Sequence, residues 1–143
     1  MYIRKIICKF VNKSDERSVL KVLIIDDEKS IVKMYEEYLN TANIEVVTAA
    51  DGQTGIGLAK AHKPDVILLD IIMPKFNGLD VLSKMKADPD IKNIPVFLLT
   101  NLPAECSGEK AKELGAAGYL VKAENEPKMV VDVIKGAVKE RPN

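Results

Sequence analysis

Cysteine and histidine are scarce in this chain, with two cysteines and one histidine among 143 residues. Cys8 and Cys106 lie far apart with no metal-ligand spacing between them, so they read as ordinary reduced thiols of a cytoplasmic protein. The lone histidine, His62, has no Cys/His cluster around it, which leaves a zinc site without ligands; it reads as a solvent-facing residue at a helix end. An excess of either charge is also missing. Lys and Arg number 21 and Asp and Glu 21, so no surplus of cations is present to hold nucleic-acid phosphates. No apolar run approaches the roughly 20 residues of a membrane span. Ile6-Ile7-Cys8, bracketed by Lys5 and Lys9, is too short for the apolar core of a signal peptide. What remains is the composition of a globular chain, 47% apolar and without low-complexity tracts. Its length suits one domain with one full-sized core.

The chain falls into two parts. Residues 1–19 mix cationic and apolar residues without a clean period and run through the polar stretch Asn12–Ser18; they read as an N-terminal extension and linker. Over residues 20–141 strand and helix patterns alternate. Val22–Ile25, Ile44–Ala49, Val66–Leu69, Ile94–Leu99 and Gly118–Val121 are apolar runs of strand length. Between them, Ile31, Tyr35, Tyr38 and Leu39 recur at helical spacing, as do Leu79, Leu82 and Met85. A small-residue helix over 53–62 is stopped by Lys63-Pro64, and a fourth helix runs from Pro103 to Leu114. Met129, Val130, Val133, Ile134, Ala137 and Val138 stripe a fifth. Strands and helices alternating through short loops predict a doubly wound, five-stranded parallel sheet with helices on both faces.

The central run is Val66–Leu69, uniformly apolar and therefore buried on both faces, followed at once by Asp70 and by the turn formers Met73-Pro74 and Asn77-Gly78. In a parallel sheet all carboxyl ends share one edge, where ligands gather. Asp26-Asp27, Asp70, Thr100 and Lys122 each end a strand, so three carboxylates, a hydroxyl and an ammonium converge there. Such carboxylates repel one another unless a cation joins them, and hard oxygen ligands suit Mg²⁺. A carboxylate can serve as nucleophile in phosphoryl transfer, giving an aspartyl-phosphate. The reaction asks for positioning and charge neutralisation, which a metal and a lysine supply.

Asp26-Asp27, the loop Asp70-x-x-Met73-Pro74-x-x-x-Gly78, Thr100 and Lys122, at these intervals, resemble the receiver domain of two-component response regulators over residues 20–141. The resemblance implies the flavodoxin-like strand order 2-1-3-4-5. It implies Asp70 as phosphoacceptor, served by a phosphohistidine on a sensor histidine kinase or a phosphotransfer protein. Mg²⁺ would be held by Asp26, Asp27, Asp70 and the backbone carbonyl of Ile72, with Asp26 acting through water. Lys122 would pair with Asp70 or its phosphate, while Thr100 and Tyr119 act as the switch. Phosphorylation would then govern the binding of a downstream effector at the face of the fourth helix, fifth strand and fifth helix. Direct contact with nucleic acid or membrane is not implied. Such a protein is cytoplasmic and catalyses only its own phosphoryl transfer and autodephosphorylation.

Two positions depart from the family pattern. Ala123 stands where proline usually follows the lysine after a cis bond, which without proline costs about 3 kcal/mol. Asn101 stands after Thr100, where a small residue is usual. Other readings are a receiver-like interaction module that is not phosphorylated, and a fragment of a larger regulator or hybrid kinase. A phosphohydrolase with an aspartyl nucleophile lacks its second carboxylate, because Ile72 occupies that place.

Overall fold

The computed structural model describes residues 19–139. The expected N-terminal extension, apart from Val19, and the last residues of the expected domain lie outside the described residues.

Each apolar run forms a strand because its alternate side chains have two separate cores to enter. The strands of the main sheet are β1 (Leu20–Ile25), β2 (Ile44–Ala49), β3 (Val66–Leu69), β6 (Val96–Thr100) and β7 (Gly118–Val121). Along β1 and β3, Leu23, Ile25, Ile67 and Leu69 face one core, whereas Val22, Ile24, Val66 and Leu68 face the other. That period of two, with both sets apolar, is the signature of a strand covered on both faces. The first core is roofed by α2 (Gly52–His62), α3 (Gly78–Ala87) and α4 (Ala104–Glu113), through Ala59, Leu82, Met85 and Ala111. The second is roofed by α1 (Lys29–Thr41) and α5 (Pro127–Lys139), through Tyr35, Leu39, Val130 and Ile134. Burying each such Leu or Ile contributes about 1.5–3 kcal/mol.

All pairings in the main sheet are parallel and the strand order is β2-β1-β3-β6-β7. Counting only these strands, this is the expected order 2-1-3-4-5. Register then decides what meets at the edge. Ile25 pairs with Leu69, so Asp26 and Asp70, the next residues on each strand, emerge side by side. Thr100 pairs with Val121, so Lys122 emerges one step further along β7.

The loop after Asp70 holds more structure than its turn residues announce. β4 (Ile72–Met73) and β5 (Phe76–Asn77) form a small antiparallel hairpin, with Lys75 at φ 68 in its turn. Gly78 closes this loop, its N–H donating to Ile71 O at 2.7 Å. A Cβ on Gly78 would lie 2.0 Å from the backbone oxygen of Asp70, so no other residue fits. Asn77 caps α3 by accepting from Leu79 N, and Asp51 caps α2 by accepting from Thr54 N. β7 is followed by a single 3₁₀ turn, Lys122–Glu124, and no cis peptide bond occurs among the described residues, so Lys122-Ala123 is trans.

Candidate functional site

Asp26 and Asp70 are held at the sheet edge by their own backbones. Asp70 N–H donates to Ile25 O, and Asp26 N–H donates to Ala49 O, both at 3.0 Å, which continues the ladder one residue beyond each strand. Both carboxylates are buried, each residue 5% exposed. Asp26 Oδ1 accepts from Glu28 N at 3.0 Å, and Asp70 Oδ1 accepts from Ile72 N at 3.3 Å. Their other oxygens converge on one cation, Lys122 Nζ lying 2.6 Å from Asp26 Oδ2 and 3.2 Å from Asp70 Oδ2. Its third carboxylate neighbour is Glu28, at 3.4 Å.

Asp27, half-buried, completes a cluster with Asp26 and Asp70 in which one carboxylate oxygen from each lies within 4.8 Å of the others. The electrostatics follow from burial. Loss of water pushes the Asp26 carboxyl above its usual range, and the Asp70 charge adds to the rise, while the hydrogen bond from Lys122 opposes it. For Lys122 burial acts to lower the pKa, but its hydrogen bond to Asp26 and the charges of Asp70 and Asp26 outweigh that, leaving the ammonium above its ordinary value. One firmly protonated lysine among clustered carboxylates leaves negative charge uncompensated. Hard oxygen donors in that state fit a divalent cation such as Mg²⁺.

In front of Asp70 opens a cleft of about 480 Å³, lined by Asp27, Glu28, Asp70, Met73, Thr100 and Asn101 and by the side of Ile72 and Pro74. Thr100 is fully buried at the end of β6, its Oγ1 accepting from Leu102 N at 3.3 Å. Ile72 presents its side chain at the cleft with 60% of the residue exposed. Tyr119 does not line this cleft. Its hydroxyl donates to Leu102 O at 2.8 Å and, more weakly, to Pro103 O at 3.4 Å, so β7 is tied to the segment just after Thr100. Burial raises the Tyr119 pKa and keeps it a donor.

The residues singled out in the sequence thus meet at one edge, with Tyr119 behind them. Sequence reasoning missed Glu28 and the Leu102 carbonyl. Glu28 follows the acidic pair directly, but it ends no strand and so falls outside the set that the sheet edge collects; Leu102 contributes only backbone, which no side-chain pattern reveals.

The chain matches the model of the response regulator receiver domain over residues 22–134. It is 38% identical over 102 residues to the response regulator PleD of Caulobacter vibrioides, covering 71% of this chain and 22% of that protein. The chain therefore spans about a fifth of the length of that relative, and 42% of the PhoP regulatory protein of Bacillus subtilis, 34% identical over 102 residues and 71% of this chain. Among solved structures it superimposes on the chemotaxis protein CheY4 of Vibrio cholerae with a TM-score of 0.78 at 31% identity, covering 84% of this chain and 99% of that one.

Proposed function

Because this chain belongs to the response regulator receiver domain family, we propose that it is a phosphoryl-accepting switch of two-component signalling in which Asp70 is the acceptor. The observation that carries this reading is the bridging of Asp26 and Asp70 by one buried lysine, with Asp27 beside them. That arrangement orients a carboxylate toward a cleft and sets an ammonium next to it.

Asp26, Asp27, Asp70 and the backbone carbonyl of Ile72 are the groups that would hold Mg²⁺. Bound there, it would neutralise the negative charge of the incoming phosphoryl group and of the cluster. Asp70 attacks phosphorus with the carboxylate oxygen that faces the cleft, and the bond from phosphorus to the donor breaks. Lys122, already beside Asp70, holds a phosphoryl oxygen as a point charge. Thr100, in the same cleft, would donate its hydroxyl to the new phosphate in exchange for its bond from Leu102 N. That exchange loosens the segment to which Tyr119 is tied, which carries the change to the face of α4, β7 and α5. The same coupling supports an effector that docks at that face.

The donor is a phosphohistidine on a sensor kinase or phosphotransfer protein, and beyond its own phosphoryl transfer and autodephosphorylation the chain needs no substrate. No helix among the described residues is long and apolar enough to cross a membrane; a cytoplasmic place is proposed from the phosphohistidine donor. Incubation with Mg²⁺ and acetyl phosphate, followed by intact mass, tests the proposal. The parent should gain one phosphoryl group and Asp70→Asn none, with both folded by circular dichroism; modification of Asp70→Asn would move the acceptor elsewhere.

A further inference from the structure

Glu28 forgoes the local role that its position offers. It stands at the N-cap of α1 with φ −83 and ψ 96, yet its side chain makes no capping bond. Its Oε1 instead lies 3.4 Å from Lys122 Nζ, and the residue lines the cleft in front of Asp70. Because the side chain is 53% exposed, this charge stands at the mouth of the cleft, unlike those of Asp26 and Asp70 beneath it. The other residues lining the cleft are carboxylates or neutral, and no cation is among them. Lys122 has a side chain only 6% exposed and is already shared among Asp26, Asp70 and, more distantly, Glu28. Apart from a Mg²⁺ held by the acidic cluster deeper in the cleft, an entering anion therefore meets the Glu28 charge before it meets anything on the protein that attracts it.

We propose that Glu28 sets phosphodonor specificity, slowing transfer from small free donors in proportion to their net negative charge. The proposal rests on Asp70 being the phosphoacceptor. Acyl phosphates, dianionic at neutral pH, are held back most. Phosphoamidates, whose nitrogen carries an extra proton, are held back less. In both reactions an Asp70 carboxylate oxygen bonds to phosphorus. With acetyl phosphate the P–O bond breaks and acetate leaves with the electron pair; with phosphoramidate the P–N bond breaks and ammonia leaves with the protons it already carries.

The charge and its removal give a quantitative test. Initial phosphorylation rates of the parent, Glu28→Gln and Glu28→Asp are measured with acetyl phosphate and with phosphoramidate, each protein at Mg²⁺ saturation set by calorimetry. One unit charge acting across about 7 Å of water-like dielectric corresponds to about a sevenfold rise for a dianion and about threefold for a monoanion when it is removed. Glu28→Gln should therefore raise the acetyl phosphate rate more than the phosphoramidate rate, shifting their ratio by about twofold or more. The shift should fade at 1 M salt, where the screening length is about 3 Å. Glu28→Asp, which keeps the charge, should keep the parent ratio. An unchanged ratio in Glu28→Gln, or a shift that salt leaves intact, overturns the role of Glu28 while Asp70 stands. Failure of both donors to modify the parent and Glu28→Gln alike would instead remove Asp70 as acceptor, and this inference with it.

Discussion

Lys122 Nζ lies closer to Asp26 Oδ2, at 2.6 Å, than to any oxygen of Asp70. The lysine is thus held chiefly by a carboxylate that is not the proposed nucleophile. This leaves Asp70 weakly engaged, with contacts of 3.2 Å from Lys122 and 3.3 Å from Ile72 N. A nucleophile with long, loose hydrogen bonds keeps its lone pairs available, while the cation it will need stays within reach.

Removing the cation should leave a clear pH signature. Lys122→Met strands buried carboxylates without their partner, and at neutral pH should cost about 3 kcal/mol in urea unfolding. The Lys122 pKa is raised above 10.5 in the folded chain. Its stabilisation is therefore fully present below 10.5 and is lost as pH rises through the higher folded value. The stability difference between parent and Lys122→Met should accordingly shrink in strong alkali. A constant difference across that range would mean that the lysine acts by packing alone.

Asp27 behaves in the opposite way. It is half-buried and receives no ion pair from Lys122 among the described residues, so in the metal-free protein its charge mainly repels Asp26 and Asp70. Asp27→Ala should leave metal-free stability equal to the parent or up to about 1 kcal/mol higher. At the same time it should weaken Mg²⁺ binding markedly by calorimetric titration. Equal affinity in mutant and parent would exclude Asp27 as a ligand.

Gly78 is fixed by the backbone rather than by flexibility. A methyl group there would meet the Asp70 oxygen at 2.0 Å and the Ile71 Cα at 2.6 Å, neither of which can swing aside as a side chain would. Gly78→Ala should cost about 3 kcal/mol by chemical denaturation. It should also slow phosphorylation, because the strain is relieved by moving Asp70. A mutant that loses stability but phosphorylates at the parent rate would show that the loop yields on the Ile71 side instead.

Hydrolysis of the aspartyl-phosphate needs a water in line with the phosphorus–oxygen bond. Ile72 and Asn101 flank that approach in the cleft, and an apolar branched side chain cannot orient water by hydrogen bonding. Slow self-dephosphorylation is therefore expected. Decay of the phosphorylated protein should quicken in Ile72→Asn, which supplies a water-orienting amide, and in Asn101→Ala, which removes bulk. If neither change alters the decay, the control of water lies in the 3₁₀ turn that begins at Lys122.

Local sequence determined the strands and the order of elements, because apolar runs of four to six residues bounded by Asp, Pro and Gly have few other ways to bury themselves. It also determined that Asp26, Asp27, Asp70, Thr100 and Lys122 share an edge, since a parallel sheet puts every carboxyl end on one side. Tertiary structure decided the rest. The preference of Lys122 for Asp26 over Asp70 depends on the register that aligns Ile25 with Leu69 and Thr100 with Val121. The hairpin at Ile72–Asn77 is made by backbone groups, and the Tyr119 hydroxyl finds a backbone acceptor in the Leu102 carbonyl; backbone groups carry no residue-specific signal. Glu28 joins the site only because a lysine 94 residues away lies within 3.4 Å of it. Contacts at that separation are set by how the sheet closes, not by any neighbour in the chain.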